Sequence, residues 1–441
     1  MLTSSSGKRI SVLLTSASSG GTIAAVRHLG ACGLDVRVVA SQRLAAAVWS
    51  RRATGSYSAP PETEYDQFLN RLLAIGKADP GRILLPTSDE TAWLYTANAT
   101  LLEQHFCVHQ PSIPCILQLL DKRLFADTAT SAGLAVLPSW DPLNADELAA
   151  LAPTLPYPIL IKPRMHVHRR RNDKGVVVRT ANELLQHYQR FVEREQDRPA
   201  DDILLPDAGR PFLQQFVRVG HEGVQSIAGF IDRTGELFVS RRSRKVFQRT
   251  QPLGVGVCYE SLPPAPALTN AVYRLCRQVG FFGIFEVEFL WFDGRWVIID
   301  FNPRFYNQMG LDIHRGMPLP LLACLETLGE TQTLREAVTT AQTEDKIART
   351  VFSDRFTLRA ILAAKAITSR ITHEDRQYWL GWTKRNVTHA VDVAADHSDP
   401  IPGIIHALSE TYLGLKAIPR FMQSGQRTSP VLERTLTKVH S

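Results

Sequence analysis

Long apolar runs are missing from this sequence of 441 residues. A helix that crosses a membrane needs about 18 or more consecutive apolar residues, and no stretch here approaches that length. Near the N-terminus only residues 10–14 are continuously apolar, which is too short for the apolar part of a secretory signal. We therefore expect a cytoplasmic protein with no membrane partner.

Cysteines are few and scattered. None of the six belongs to a C-x-x-C pair, which argues against a structural zinc site and against a disulfide framework. We expect buried thiols instead. The six are Cys32, Cys107, Cys115, Cys258, Cys276 and Cys324.

The loop after the first strand pattern lacks the dinucleotide fingerprint G-x-G-x-x-G. A strand pattern at 10–14, small residues at 15–22, a helical pattern at 23–29 and a strand pattern at 36–40 still follow in order. This order is a βαβ unit and predicts a parallel sheet. The chain is long enough for two or three domains, each able to bury its own core.

Polar residues follow a further strand pattern at 82–85. Residues 86–90 then stand at the carboxyl end of a strand, where open α/β sheets bind ligands, so substrate contact is one interpretation. Capping of the next helix by Ser88 or Asp89 is the other.

Basic residues outnumber acidic ones, 50 against 43, and cluster at 169–171 and 241–245. Such clusters predict an anionic ligand. Surfaces that bind nucleic acid usually extend along a face and carry stacking aromatics, which these short runs lack. A nucleotide phosphate is therefore favoured over DNA or RNA.

The segment 285–304 places polar side chains inside two apolar strand patterns. Glu286 and Glu288 interrupt the first pattern, and Asp300 and Asn302 interrupt the second. Buried carboxylates are costly to keep ionised, and a hard divalent cation with oxygen ligands offsets that cost. The alternative is that both glutamates line a solvated face.

The turn between these strands, at Asp293-Gly294, sets their register. A three-residue loop pairs Glu288 with Asp300 and puts all four polar groups on one face, whereas a two-residue loop pairs Asp300 with Val287 and separates them. We favour the three-residue loop, which predicts a magnesium site.

This segment resembles the metal-binding signature of the ATP-grasp superfamily. Glu288 and the run Asp300-x-Asn302-Pro303-Arg304 fit that signature. The resemblance implies that Glu288, Asp300 and Asn302 hold Mg²⁺, or Mn²⁺, under ATP and that Arg304 lies near the transferred phosphate. Asp300 stands where the superfamily more often has Glu.

Two lysines match the phosphate-binding lysines of the superfamily. Lys162 directly follows a short apolar strand pattern, where plain solvation is a poor explanation and a point charge suits a polyphosphate. Lys122, at the start of a helical pattern, is assigned by the resemblance alone. Without the resemblance, Lys122 is better explained as a solvent-exposed lysine on a helix surface.

The resemblance also assigns the nucleoside contacts. Gln215 and Val217 fit the linker that binds adenine, and Glu222 fits the ribose acid. The segment 164–175 occupies the place of the flexible phosphate-covering loop but is rich in Arg and His, with Gly175 its only glycine. An exposed basic loop without a ligand is the alternative.

The segment 239–250 alternates like a strand but has basic residues on both faces, which argues against a core strand. We assign Lys245 and Arg249 as phosphate or substrate contacts. A solvated edge strand protected by its charge is the alternative.

The resemblance covers about residues 8–325. It implies a Rossmann-like pre-ATP-grasp domain at 1–112 and an ATP-grasp domain of two α+β subdomains at 113–330. Helical patterns at 333–342, 356–369 and 402–415 then predict a helical C-terminal region at 331–441.

Within the superfamily, the chain is most similar to carbamoyl-phosphate-synthase-like proteins, among them D-aspartate-ligase-type carboxylate-amine ligases. This implies that a substrate carboxylate is activated by ATP as an acyl phosphate and joined to an amine, with Arg304, Lys245 and Arg249 as catalytic residues. Two alternatives stay open: an enzyme that activates bicarbonate, and a non-catalytic ATP-binding sensor or scaffold. The expected partners are small-molecule acid and amine substrates, and assembly of identical subunits is left open.

Overall fold

The computed structural model describes most of the chain in three sheets and their helices. The described residues are 10–169, 175–195, 204–205, 207–219, 223–248, 256–344, 351–367, 371–386, 388, 390–392 and 396–423. Within them, no helix combines the length and apolarity required to cross a membrane. All six cysteines are free thiols, of which Cys32 and Cys107 are only half-buried.

The first sheet has five parallel strands in the order β3-β2-β1-β4-β5, so the predicted βαβ unit and parallel sheet are confirmed. The order reverses between β1 and β4, which opens a crevice at their carboxyl ends. The elements are β1 (Ser11–Leu14), α1 (Gly20–Ala31), β2 (Asp35–Ala40), β3 (Gly55–Ser58), α2 (Tyr65–Ala78), β4 (Arg82–Leu84), α3 (Asp89–Ala97), α4 (Ala99–Leu102), β5 (Phe106–Val108) and α5 (Ile113–Leu120), with a 3₁₀ turn at Ala46–Trp49.

A four-stranded antiparallel sheet follows, in the order β6-β9-β7-β8. Helix α8 packs on it through Leu184, Tyr188 and Phe191, because these residues recur at helical spacing and face the apolar strands. The elements are α6 (Lys122–Ser131), β6 (Ser139–Trp140), α7 (Ala145–Leu151), β7 (Ile159–Pro163), β8 (Val176–Val178), α8 (Ala181–Glu195) and β9 (Pro211–Gln215), with a 3₁₀ turn at Ala152–Thr154.

The third sheet has seven strands in the order β14-β13-β10-β11-β12-β15-β16. Its first five strands are antiparallel, and α9 packs on β10, β13 and β14 through an apolar face that includes Val272 and Leu275. The elements are β10 (Val224–Ile231), β11 (Phe238–Gln248), β12 (Gly256–Leu262), α9 (Pro266–Val279), β13 (Gly283–Phe292), β14 (Arg295–Asn302), α10 (Met309–His314), α11 (Leu319–Thr327), α12 (Thr331–Thr343), β15 (Val351–Ser353), α13 (Arg355–Ile367), α14 (His373–Arg385), β16 (Ala390–Val391) and α15 (Ile401–Gln423).

The basic strand β11 lies inside this sheet, between β10 and β12. The expectation that 239–250 could not be a core strand is therefore wrong, as is the edge-strand alternative. Alternate residues of β11 are buried, Arg241 and Lys245 among them. Burial is tolerated because Arg241 donates to the Ala341 carbonyl and Lys245 pairs with Glu288.

The C-terminal region is not purely helical. Strands β15 and β16 extend the seven-stranded sheet, and α14 was not predicted. The proposed boundary at residue 330 falls between α11 and α12, whose apolar residues share one core with β1 and α1. The boundaries at 112 and 330 remain proposals.

Candidate active site

The turn between β13 and β14 has two residues, not the three that we predicted. Phe292 pairs with Arg295. Asp293 and Gly294 both have positive φ, 49° and 73°, as a type I′ turn requires. Such a turn matches the right-handed twist of the flanking strands and alone would pair Asp300 with Val287.

A β-bulge at Ile299 restores the predicted pairing. Past the bulge, Glu288 lies opposite Asp300 and Glu286 lies opposite Asn302. An extra residue in one strand shifts every later side chain to the other face. The four polar groups therefore share one face, as predicted, although a bulge rather than a longer turn is the cause.

Glu286 is the most enclosed of the four groups. Its Oε1 accepts hydrogen bonds from Ser226 Oγ (2.8 Å) and Gln308 Nε2, and its Oε2 accepts one from Asn302 Nδ2 (3.1 Å). Burial, together with the nearby charge of Glu288, raises the pKa of Glu286 to about 7. Protein donors thus satisfy both of its oxygens.

Glu288 and Asp300 face two of the predicted phosphate-binding cations. Lys245 Nζ lies 2.5 Å from Glu288 Oε1, and Lys122 Nζ pairs with Asp300 Oδ1. Burial lowers the pKa of Lys245, but the charges of Glu288 and Glu286 raise it more, so the net shift is upward. Lys245 is therefore held as an ammonium ion.

Arg304 continues the same cluster toward the first sheet. Its Nε donates to Asp89 Oδ1, its Nη2 to Asn302 Oδ1 and its Nη1 to the Phe305 carbonyl, each at 2.8 Å. A guanidinium has five N–H groups, so these bonds leave one on each terminal nitrogen. Two such groups suit a bidentate contact with a phosphate or carboxylate.

The contact of Asp89 with Arg304 was not predicted from the sequence. Ser88 forms the predicted helix cap, a capping box with Thr91, which leaves Asp89 free to reach Arg304. Burial raises the pKa of Asp89, but Arg304 and His166 lower it more. The only sequence signal was the position of Asp89 after a strand's carboxyl end.

The crevice between β1 and β4 carries a further carboxylate beside this pair. Glu62 Oε1 accepts from both the amide and the hydroxyl of Ser16 (2.8 Å each), and Glu62 Oε2 accepts from Ser88 Oγ (2.5 Å). A ligand in this crevice would therefore contact the Glu62 carboxylate, which is bonded to Ser88, the residue before Asp89.

Lys162 is the penultimate residue of β7 in the four-stranded sheet. Its Nζ donates to Gln214 Oε1 at 2.9 Å and lies 5.7 Å from the centre of the Phe212 ring. Gln215 ends the neighbouring strand β9, and its amide donates to the Pro138 carbonyl (2.9 Å). Val217 packs against a small apolar cluster with Leu137, Leu290 and Val297. The assigned residues Glu222 and Arg249 lie outside the described residues.

The oxygen donors around Asn302 suit a hard divalent cation. Glu288 and Asp300 supply carboxylates and Asn302 an amide on one face of adjacent strands, the donor types that Mg²⁺ prefers. In the described part of the chain, no group of three or more His, Cys, Asp or Glu side chains is arranged to hold a metal ion. Ligand phosphates would therefore have to complete the coordination.

Solved structures of similar fold exist, although no family model and no curated protein matches the sequence. The biotin carboxylase domain of Hydrogenobacter thermophilus 2-oxoglutarate carboxylase, in complex with MgADP, ADP and bicarbonate, has a TM-score of 0.58 at 15% identity over 73% of this chain and 70% of that one. Campylobacter jejuni biotin carboxylase, in a β,γ-ATP complex, has a TM-score of 0.55 at 17% identity over 73% and 71%. Staphylococcus aureus N5-carboxyaminoimidazole synthetase, with ADP, has a TM-score of 0.54 at 14% identity over 73% and 77%.

The chain has the ATP-grasp fold. The expected architecture is thereby confirmed: a Rossmann-like sheet precedes the two sheets between which this fold is expected to bind its nucleotide. Of the two sheets, the seven-stranded one carries Glu288 and Asp300, and the four-stranded one carries Lys162.

In the segment in the place of the ATP-grasp phosphate-covering loop, residues 164–169 are buried apart from the half-buried His166, so for 164–169 the exposed-loop alternative is wrong. Arg164 Nε lies 2.6 Å from Asp121 Oδ2, and the Arg164 carbonyl accepts from the Lys122 amide at 2.9 Å. Residues 170–174 lie outside the described residues. Gly175 follows with φ +117°, and a Cβ there would lie 2.2 Å from the Ile161 carbonyl oxygen, so only glycine fits.

Glu90 lies between this segment and the first sheet. Burial raises its pKa to about 8, although the backbone amides of His168 and Arg169 lower it in part. Nearby, Met165 and Val167 pack against Trp93 and Ile116 of the N-terminal part. The start of the loop is thus docked on α3 and α5.

Proposed function

We propose that this protein is an ATP-dependent ligase that joins a carboxylate to an amine and releases ADP and phosphate. The observation that carries the proposal is the cluster in which Lys122, Lys245 and Arg304 contact the oxygen donors of β13 and β14. Support also comes from the fold, because the similar solved structures are complexes with ADP, MgADP or β,γ-ATP.

In the proposed mechanism, the lysines bind the ATP phosphates by charge. Mg²⁺ bound through Glu288, Asp300 and Asn302 would neutralise developing charge on the phosphates. A substrate carboxylate oxygen attacks the γ-phosphorus, and ADP leaves. The amine nitrogen then attacks the acyl carbon, and phosphate leaves.

Arg304 has the role of stabilising the acyl phosphate in this scheme, with Lys245 and Arg249 as further contacts. Its two remaining N–H groups match two phosphate oxygens. Catalysis is then a matter of positioning and charge stabilisation and needs no nucleophilic side chain. Gln215 and Val217 would bind adenine, and Glu222 the ribose.

The acceptor amine would bind in the crevice between β1 and β4. Glu62 places a carboxylate there, hydrogen-bonded to Ser88, the residue before Asp89, and a carboxylate favours a cationic or hydrogen-bonding amine. The expected partners are therefore two small molecules, an acid and an amine.

Bicarbonate activation is the second candidate function. The support is that two of the similar structures are biotin carboxylases, one of them with bicarbonate bound. The same cation site would serve both reactions, and only the activated acid differs.

The test is release of ADP and phosphate from Mg-ATP across a panel of amino acids, hydroxy acids and bicarbonate. We expect release that depends on an acid and an amine together and that falls by about 100-fold or more in Glu288→Gln. Glu236→Gln, on the exposed surface, is the matched control and should not change the rate. Release with bicarbonate alone would favour the second candidate, and nucleotide binding without release from any mixture would count against both.

A further inference from the structure

A cleft of about 420 Å³ lies in the C-terminal region, between the first turns of α13 and α15. This volume lies within the range of roughly 300–1,000 Å³ that small-molecule pockets occupy. None of its lining residues belongs to the strands that carry the candidate active site. The ATP-grasp chemistry proposed above leaves the cleft unused.

One wall of the cleft is apolar although it faces solvent. Phe356 is 36% exposed and Ile404 is 59% exposed, and Pro400 and Ala407 continue the wall. Large apolar side chains that stay exposed in a concave site mark a place where an apolar group of a ligand can be buried.

The two acidic residues of the cleft already have counter-charges. Asp392 Oδ2 lies 2.5 Å from Arg355 Nε, and Asp396 Oδ2 lies 3.7 Å from Arg27 Nε, which is shared with Asp399 at 3.1 Å. Neither carboxylate therefore makes the cleft a site for a cation.

Arg359 contributes positive charge that these acids do not neutralise. It lies one helical turn after Arg355, so both point to the same face of α13. Arg359 and His397 are exposed lining residues, and no carboxylate of the described residues pairs with Arg359. A guanidinium beside an apolar wall is a recognition pattern for an amphipathic anion.

The walls are held in place by contacts outside the cleft. Asp354 caps α13, because its Oδ1 accepts a hydrogen bond from the Thr357 amide (2.9 Å). Its Oδ2 lies 2.8 Å from His406 Nε2 of α15. Asp399 accepts from Ser50 Oγ at 2.6 Å and anchors the start of α15 to the first domain. A preformed site loses less entropy on binding.

We infer that this cleft binds a small anion with an apolar body, such as an aryl or alkyl carboxylate or phosphate monoester. The inference does not rest on the proposed ligase activity. Its occupant would contact a helix whose first turn is tied to the seven-stranded sheet, because the Asp354 amide donates to the Val257 carbonyl of β12 at 3.1 Å.

The test uses 1-anilinonaphthalene-8-sulfonate, a fluorescent amphipathic anion, titrated into the full-length protein. We expect one saturable site that Arg359→Gln weakens about two- to fivefold, the effect of one partly exposed charge. Ile404→Asn should weaken it at least as much. Phenyl phosphate and benzoate should displace the probe, and benzyl alcohol, which lacks the charge, should not.

Two matched controls separate this cleft from other probe sites. Arg274→Gln removes an exposed arginine on α9, and Leu408→Asn removes an apolar residue of α15 that is 55% exposed but does not line the cleft. Both controls should bind the probe like the unmodified protein. Equal weakening in control and cleft variants, or no weakening in Arg359→Gln and Ile404→Asn, would overturn the inference.

Discussion

Glu286 and Glu288 lie two residues apart on one strand and share a face, yet their surroundings give them different roles. Three side-chain donors from Ser226, Asn302 and Gln308 surround Glu286. Glu288 instead pairs with the ammonium group of Lys245, which a phosphate can also bind. We therefore assign cation binding to Glu288 and support of Asn302 to Glu286.

Paired substitutions test this division of roles. With ADP present and at pH 8, Glu288→Gln should weaken binding of Mn²⁺, followed by electron paramagnetic resonance, by about tenfold or more. Glu286→Gln should change it far less but lower the free energy of unfolding by about 1–3 kcal/mol, because its new amide meets the Asn302 amide donor. Equal losses of Mn²⁺ affinity in the two variants would contradict the assignment.

The site residues that could be predicted are those within one continuous stretch of sequence, the two apolar strand patterns of 285–304. Acids within the apolar strands of 285–304 indicated a polar face, but we predicted a shared face from a three-residue turn, whereas a bulge at Ile299 produces it. The contact of Asp89 with Arg304 could not be predicted, because it joins residues 215 positions apart and depends on how two sheets pack. The same holds for Lys122, whose helix-start position fits a solvated lysine equally well.

At the scale of elements, the hairpin of β13 and β14 depends on a turn that only certain residues adopt. Gly294 has φ +73°, and a Cβ added there would have no atom beyond its chain neighbours within 4 Å. A substitution at Gly294 therefore adds backbone strain without a clash. Gly294→Ala should lower the free energy of unfolding by about 1–2 kcal/mol, the usual penalty for Ala in the left-handed region.

Chemical denaturation measures that effect, with Gly55→Ala as the control. Gly55 lies in an outer strand, and a Cβ there would meet only the Arg37 side chain, at 3.7 Å or more. The control should therefore be neutral. A Gly294→Ala protein as stable as the control would show that the turn relaxes to another conformation.

Elements with local periodicity were predicted from the sequence, and those whose burial depends on distant partners were not. The first βαβ unit follows from apolar runs and a helical pattern. Strand β11 looked unfit for a core because its basic residues alternate with others on both faces. Its central position depends on Glu288, Glu260 and the Ala341 carbonyl, which lie on other strands and on α12.

For the whole molecule, Glu90 links ionisation to the contact between α3 and the segment 164–169. Its pKa is raised from 4.5 to about 8 by burial. A raised pKa means that the folded protein holds the proton more tightly than the unfolded chain. The resulting stability is fully present below about pH 4.5 and is lost as the pH rises toward 8.

Glu90→Gln should remove this loss, because an amide occupies the same space and never ionises. Relative to the unmodified protein, its thermal midpoint should rise steadily from pH 5 to pH 8, with a free-energy gain of up to about 1.4 kcal/mol per pH unit. Glu103→Gln, at an exposed position after α4, is the control and should show no such trend. A difference between Glu90→Gln and the unmodified protein that stays constant across this range would mean that Glu90 titrates normally in the fold, and the docked loop would then need another explanation for tolerating a carboxylate.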